Sequence, residues 1–256
     1  MKTLFIIGSN GVLGADLVRN LQSSYTVVPI NRDTYAQIKG KSCDILINAN
    51  GNSKRFWAND HILEDFEAST TSVYKSLFDF EFKKYIYISS SDVYVDHTNK
   101  ETTKENQRVD FANLSPYGFH KYLSETLVQK YAEKYFILRS SMILGKNLKK
   151  GPVYDIVQKK PLFITLDSQI QMITTTAISS IIDSLVKNDF PNDIFNMGGK
   201  GTVDFNDSET YFGIKPQVTK DAKKQIYEMN VEKLDNIFKL KSSPEYLKEY
   251  LTTYEN

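Results

Sequence analysis

The sequence predicts an α/β fold, a doubly wound parallel sheet covered by helices on both faces, with a small mixed C-terminal region. Three observations carry this. Short apolar runs such as Leu4–Ile7 and the Ile45–Ile47 centre of Asp44–Asn48 lack the alternation of a half-solvated strand, so both of their faces are buried. Segments with helical spacing separate those runs. The first run ends at Gly8, and Gly11 and Gly14 follow immediately before Ala15–Leu21, where Leu17, Val18 and Leu21 share a helical face.

The elements follow in order. Tyr25–Asn31 reads as a second strand, with Pro29 placing it near a sheet edge. Asp33–Lys39 reads as a short helix and Asp44–Asn48 as the next strand. This connection is short, so one strand–helix unit of longer doubly wound sheets is reduced or missing. Leu63–Phe82 has helical spacing at Phe66, Val73, Leu77 and Phe80, and Lys84–Ser89 is a strand. Ser115–Pro116 starts a helix with serine as N-cap and proline at the first position, and that helix runs to about Lys134. Tyr135–Arg139 is a strand, Ile178–Lys187 a helix, and Asp193–Met197 a strand ended by Gly198–Gly199. Glu232–Phe238 and Pro244–Tyr254 close the chain as helices. Periodicity weakens after residue 146. The expected division is therefore a first unit over 1–146, joined by about 171–199, and a smaller region made of 147–170 and 200–256.

Composition narrows the function classes. A net charge of +1, with lysines spread along the chain, gives no reason to expect nucleic acid or an acidic membrane as partner. Cys43 is the only cysteine, which excludes an intrachain disulfide and a cysteine-based metal site. His61, His97 and His120 have no metal-ligand spacing, so no metal is expected. The N-terminal apolar run is too short for a signal peptide and no stretch would span a bilayer, so the expected location is cytoplasmic.

The chemistry-bearing stretches begin with Gly8-Ser9-Asn10-Gly11-Val12-Leu13-Gly14. A strand, a glycine-rich turn and a helix aim free backbone N–H groups and the positive helix end at a pyrophosphate. The order is G-x-x-G-x-x-G, and a glycine-rich turn without ligand is the plain alternative. Tyr117 and Lys121 lie four apart on a helix and share a face. An ammonium beside a phenol lowers the phenol's pKa and readies it for proton exchange with an alcohol or carbonyl; a surface pair is the alternative. Ser89-Ser90-Ser91-Asp92-Val93-Tyr94 emerges at the carboxyl end of a strand, where open α/β sheets hold ligands. A serine there can hold a reacting oxygen. Asp92 reads either as a turn residue or as an auxiliary acid, and Arg55-Phe-Trp-Ala as a packed loop.

Together these stretches resemble the extended short-chain dehydrogenase/reductase family of NAD-dependent epimerase/dehydratase type, in particular its nucleotide-sugar-modifying members. The resemblance runs through Gly8–Gly14, Asp44–Gly51, Ser89–Tyr94, Ser115–Lys121 with Glu125, Leu138-Arg139 and Ile194–Gly198, in family order over about the first 200 residues. It implies a Rossmann-type dinucleotide-binding unit with a small C-terminal substrate-binding region. It places the catalytic trio on Ser90, Tyr117 and Lys121, with Ser91 as the neighbour that competes with Ser90 for the serine role, and it has Lys121 also binding the nicotinamide ribose. The cofactor would be held by Gly8, Ser9, Asn10, Gly11, Val12, Leu13, Gly14, Asn31, Arg32, Ala49, Asn50, Gly51, Tyr117 and Lys121. Val95, Ser140 and Ser69 depart from the family pattern, and Gln169–Thr174 lacks the arginine that commonly grips the substrate pyrophosphate. Lys149, Lys150, Lys159 and Lys160 are the alternative sources of charge.

Asn31-Arg32 ends the second strand without a carboxylate. Arg32 can pair with a 2′-phosphate, which favours NADP(H) over NAD(H); alternatively Arg32 faces solvent and Asn31 accepts an NAD ribose. The expected activity is reduction of a keto sugar, a nucleotide-linked 4-keto sugar, with Tyr117 as acid/base. A nucleotide-sugar epimerase using the same residues is the alternative, and a non-catalytic NAD(P)-binding sensor is the alternative from another class. The resemblance also implies a homodimer through the Tyr117 helix and the Leu63–Phe82 helix.

Overall fold

The computed structural model describes residues 1–52, 55–188 and 190–254; the last two residues of the predicted C-terminal region lie outside this set. The elements of the first half are β1 (Thr3–Ile7), α1 (Val12–Leu21), β2 (Thr26–Ile30), α2 (Tyr35–Ile38), β3 (Ser42–Asn48), α3 (Arg55–Asp60), α4 (Ile62–Phe66), α5 (Ser72–Asp79), β4 (Glu81–Ser90), α6 (Pro116–Tyr131) and β5 (Tyr135–Ser140). After them come β6 (Met142–Leu144), α7 (Pro152–Val157), β7 (Leu162–Ile164), β8 (Gln169–Ile170), β9 (Met172–Thr174), α8 (Thr175–Lys187) and β10 (Asp193–Met197). The chain closes with β11 (Val203–Asp204), α9 (Ser208–Phe212), β12 (Val218–Lys223), β13 (Ile226–Tyr227), α10 (Glu232–Phe238) and α11 (Ser243–Tyr254).

The central sheet has six parallel strands in the order β10–β5–β4–β3–β1–β2. This is a Rossmann-type α/β fold. The chain leaves β1 for β2 on one side and returns to β3 on the other, so the order reverses between β1 and β3. The shortness of the 31–41 connection explains the outer edge: α2 is a single turn, among the described residues no strand is added beyond β2, and Pro29 sits on that edge strand, where a missing N–H is tolerated.

Alternation along the strands sends side chains to two cores. Leu4, Ile6, Ile45, Ile47, Ile86, Ile88, Phe136 and Leu138 pack with α1 and α8. Phe5, Ile7, Leu46, Tyr85, Tyr87 and Ile137 pack with Val73 and Leu77 of α5 and Val128 of α6. Both faces of each inner strand are therefore apolar, which is why these strands read as unbroken runs. A third cluster unites Leu144, Val153, Ile156, Leu162, Ile170, Val203, Phe205 and Leu247.

The predicted helix Leu63–Phe82 is corrected in two respects. It ends at Asp79, because Phe80 is extended and Glu81 already pairs with Ser42 of β3. Between α4 and α5 the chain makes a π-helical turn, Glu67–Thr71. The widened turn frees the Ser69 carbonyl to accept from Ser124 Oγ of α6 at 3.3 Å, while Thr70 Oγ1 donates to the His120 carbonyl at 3.1 Å. Arg55-Phe-Trp-Ala, expected as a packed loop, is helical as the start of α3, with Ala58 buried.

At the carboxyl end of β3, Asn48 is buried and its amide donates to Tyr85 Oη (2.8 Å) and Ser76 Oγ (3.2 Å), while its carbonyl accepts from Asn50 N (3.0 Å). Asn48→Ala leaves those groups unpaired in the core. It is expected to lower stability by roughly 2–4 kcal/mol, measured by urea unfolding, with an unchanged m-value.

Candidate active site

β1 delivers the chain to a turn that only glycine permits. Gly8 has φ +84°, and a Cβ on Gly14 would lie 2.1 Å from the Gly8 carbonyl oxygen. That approach seats α1 directly on the turn. Gly11 is the N-cap of α1 and offers no side chain to its first N–H groups, so these remain free for an anion. Ser9 Oγ is buried and has no hydrogen-bond partner among the described residues. An orphaned hydroxyl beside uncapped amides suits a dinucleotide pyrophosphate, so Gly8–Gly14 fit the cofactor. Leu13 is committed to the core and can contribute there only through its backbone.

At the end of β2, Asn31 Oδ1 accepts from Asp33 N (2.9 Å) and Thr34 N (3.1 Å). Its side-chain oxygen thus caps the local turn. Arg32 is exposed and has no ion-pair partner among the described residues. On the other side of the switch point, Ala49 N bonds the Ile7 carbonyl and Asn50 Nδ2 reaches Ser72 Oγ at 3.3 Å. Gly51 lies against Lys121: a Cβ there would be 3.3 Å from the lysine Nζ.

The candidate trio is assembled by α6. Ser115 caps this helix through Gly118 N at 3.2 Å, with Pro116 at its start. A Cβ on Gly118 would stand 2.1 Å from the Asp92 carbonyl oxygen, so glycine lets α6 touch the turn after β4. Gly118 is a residue the sequence reading missed, and its position directly after Tyr117 was the available signal. The contact sets Tyr117 beside Ser90. Of the neighbouring serines, Ser89 donates to Glu125 Oε1 at 2.6 Å, and Ser91 accepts from His97 Nε2 through its carbonyl at 2.8 Å. Ser90 is the one whose hydroxyl acts on the Tyr117 phenol.

The expected pull of Lys121 on Tyr117 is corrected. The Lys121 ammonium donates to the Ile88 carbonyl (2.9 Å) and to Tyr87 Oη (3.2 Å) and lies over the Tyr87 ring. Burial raises the Tyr117 pKa above its ordinary value, helped by the Asp92 carboxylate; the Ser90 hydroxyl and the Arg55 cation pull against it. The phenol is therefore held protonated. Burial also pushes the Lys121 ammonium down to about 8, against the carboxylates of Asp65, Glu125 and Asp92.

Asp92 is more than a turn residue. Its carboxylate accepts from Ser90 Oγ (2.8 Å) and from Arg55 Nη1 (3.0 Å). The Arg55 guanidinium lies 4.5 Å over the Tyr227 ring of β13, and that ring packs on His97. Sequence spacing carried no sign that residues 55, 92 and 227 converge. His120 places its Nδ1 2.6 Å from Asp65 Oδ2. Where an arginine was missing, Gln171 is buried and its amide donates to the Gly199 and Met229 carbonyls. Lys149, Lys159 and Lys160 are exposed. A cavity of about 670 Å³ lined by Asp16, Arg19, Lys146, Thr175, Glu245 and Lys248 includes none of the trio. Among the described residues no cluster of His, Cys, Asp and Glu could hold a metal ion, and no helix is long and apolar enough to cross a membrane.

The model of the NAD dependent epimerase/dehydratase family matches residues 4–156. The chain belongs to this family, and with it to the NAD(P)-dependent oxidoreductases and epimerases of short-chain dehydrogenase/reductase type that use a nicotinamide dinucleotide. Its structure is similar to dTDP-4-dehydrorhamnose reductase from Bacillus anthracis in complex with NADP, with a TM-score of 0.79 and 17% identity over 99% of both chains. It is also similar to MoeE5 in complex with UDP-glucose and NAD (TM-score 0.79, 13% identity, 99% of this chain and 100% of that one). UDP-galactose 4-epimerase shares the fold with a TM-score of 0.78 and 18% identity, over 98% of this chain and 99% of that one. No curated protein matches the chain by sequence.

The Lys121 shift has a measurable consequence. Between about 8 and 10.5 the folded protein binds fewer protons at this site than the unfolded chain, so stability due to Lys121 is lost as pH falls through that window. Without added cofactor, the wild type should gain stability over Lys121→Met by up to about 3 kcal/mol as pH rises across it, measured by urea unfolding at both ends.

Proposed function

We propose that the chain reduces the keto group of a nucleotide-linked 4-keto sugar. Tyr117 gives its phenolic proton to the carbonyl oxygen, and Ser90 holds that oxygen beside it. Lys121, fixed by the Ile88 carbonyl, binds the ribose of the dinucleotide and then helps restore the proton to Tyr117. Gly8, Ser9, Gly11 and the first amides of α1 hold the pyrophosphate, and Asn50 and Gly51 line the cleft. The nicotinamide, when bound, supplies the hydride that reaches the carbonyl carbon. The region built on the third apolar cluster would carry sugar specificity, reaching the trio through Tyr227.

The reductive reading is supported by the likeness to dTDP-4-dehydrorhamnose reductase over 99% of both chains, together with α6 held against the turn after β4 through Gly118 and Lys121 held by the Ile88 carbonyl. NADP(H) is favoured because Arg32 stands exposed at the end of β2, where it can pair with a 2′-phosphate, and the strand itself ends on Asn31 and not on a carboxylate. The test is a 4-keto sugar nucleotide offered with NADPH and, in parallel, with NADH. Net oxidation of NADPH supports the reading, and sugar conversion at constant NADPH would replace it with the epimerase. Tyr117→Phe should cut turnover by about 100-fold or more while NADPH binding stays unchanged; normal turnover in that variant removes Tyr117 from the mechanism.

A homodimer is part of the same reading. Tyr74 and Phe78 of α5 and Tyr131 of α6 are 40%, 60% and 38% exposed and meet edge to face, forming an aromatic patch on those two helices. Phe78→Asp should convert a dimer to a monomer in analytical ultracentrifugation, and a wild type that sediments as a monomer would rule the dimer out.

A further inference from the structure

One buried pair of titratable side chains has no part in the mechanism above. Asp65 of α4 and His120 of α6 are both buried, and His120 Nδ1 lies 2.6 Å from Asp65 Oδ2. A carboxylate oxygen accepts there, so the ring proton sits on Nδ1. The other oxygen, Asp65 Oδ1, accepts from Ser69 Oγ at 3.2 Å. Ser69 is buried too and lies in the π-helical turn Glu67–Thr71. Turns of this kind are rare and recur at functional sites. This one is pinned to α6 from both sides, by Ser124 Oγ on the Ser69 carbonyl and by Thr70 Oγ1 on the His120 carbonyl.

The Ser69 hydroxyl stands at the edge of the cofactor cleft. A Cβ built on Gly51 would lie 3.3 Å from Lys121 Nζ and 3.8 Å from Ser69 Oγ, so the lysine and the serine bear on the same residue. Gly51 has φ +139°, a conformation that favours glycine, and the next amide, Asn52 N, donates to Ser69 Oγ at 3.5 Å. Asp65 takes the serine's hydrogen, which turns its lone pairs to the loop. Lys121 gives two of its three ammonium hydrogens to the Ile88 carbonyl and Tyr87 Oη. The third can reach a ribose, provided that the Gly51 backbone stands clear of it.

We propose that Asp65, held by His120, is a positioning residue for the nicotinamide end of the cofactor: through Ser69 it fixes the Gly51–Asn52 backbone against Lys121 and so sets the gap that the ribose enters. The inference rests on the placing of that ribose at Lys121 and is independent of which sugar is reduced. The Asp65 charge adds to it, because among Asp65, Glu125 and Asp92 it opposes the effect of burial on the Lys121 ammonium most strongly. The adenosine half of the cofactor belongs to Arg32 and the Gly8–Gly14 turn, and its binding serves as the internal control.

The experiment measures, by calorimetric titration of the full chain, the Kd of NADPH and of 2′,5′-ADP, its adenosine half. Ser69→Ala and His120→Ala should each weaken NADPH by about fivefold or more, with 2′,5′-ADP changed by less than about twofold. His120→Asn sets an amide N–H in place of Nδ1–H and should bring NADPH back to within about twofold of wild type. Asp65→Ala should match Ser69→Ala, and the double variant should be no weaker than either single, because the two residues act in series. A merely structural role would weaken both probes together, and that result overturns the proposal. Wild-type NADPH affinity in Ser69→Ala overturns it as well, as does a His120→Asn no better than His120→Ala. Should Asp65→Ala fail to fold, Ser69→Ala, which keeps the Asp65–His120 pair, decides alone. Lys121→Met checks the ribose separately and should weaken NADPH while sparing 2′,5′-ADP. NADPH affinity unmoved by Lys121→Met defeats the ribose placement, while Ser69→Ala still judges the positioning role.

Discussion

The backbone of α6 touches the backbone of the turn after β4, and the candidate site follows from that contact. Gly118 has no Cβ, and any Cβ there would fall inside the Asp92 carbonyl. The helix therefore settles until Tyr117, one residue earlier, stands beside Ser90, and Lys121, one turn later, reaches the Ile88 carbonyl at the end of the same strand. A larger residue at 118 would lift the helix and separate the three groups together. A similar constraint operates at the other half of the site, where Gly14 seats α1 against Gly8. Both halves rely on the absence of a side chain to bring a helix onto a strand end.

Beneath the trio lies a buried polar network that holds the strands in register. Arg139 of β5 forms a bidentate pair with Glu125 of α6 and donates to Tyr94 Oη at 2.7 Å. Ser89 completes the Glu125 shell, and Tyr94 donates to Asn196 of β10, whose amide bonds the Thr103 and Asn230 carbonyls. Isolated charges at this depth would cost several kcal/mol, and Ser89 and Tyr94 add hydrogen bonds to the two ends of the pair. The network ties α6, β4, β5 and β10 into one rigid support under Ser90. That rigidity lets the mouth of the site be built from less regular parts, the six-residue helix α3 and the two-residue strand β13.

Much of the fold was legible because its signals are local. The apolar runs Leu4–Ile7 and Ile45–Ile47, the Ser115–Pro116 helix start and the edge proline Pro29 each act through their own neighbours. The misreadings have non-local causes. The π turn at Glu67–Thr71 is anchored by Ser124 and His120 from another helix, and Phe80 leaves the helix because the strand that follows pairs with β3. Arg55-Phe-Trp-Ala reads as a packed loop, yet it opens a helix that carries Ala58 into the interior. The Tyr117 phenol was expected to be pulled down by a lysine four residues on, but that lysine points to the strand and burial decides the sign.

The sequence alone determined that a parallel sheet would form, where its chemistry-bearing strand ends would lie, and that a serine, a tyrosine and a lysine belong to one family pattern. These follow from side-chain size, alternation and backbone permissiveness, which are properties of short segments. Only the tertiary structure decided which serine meets the phenol, which cation opposes the Asp92 charge, and which form of Tyr117 is kept. Those outcomes depend on distances between residues 55, 90, 92, 117 and 227, and on how far water is excluded from them. Neither quantity exists until the chain has folded.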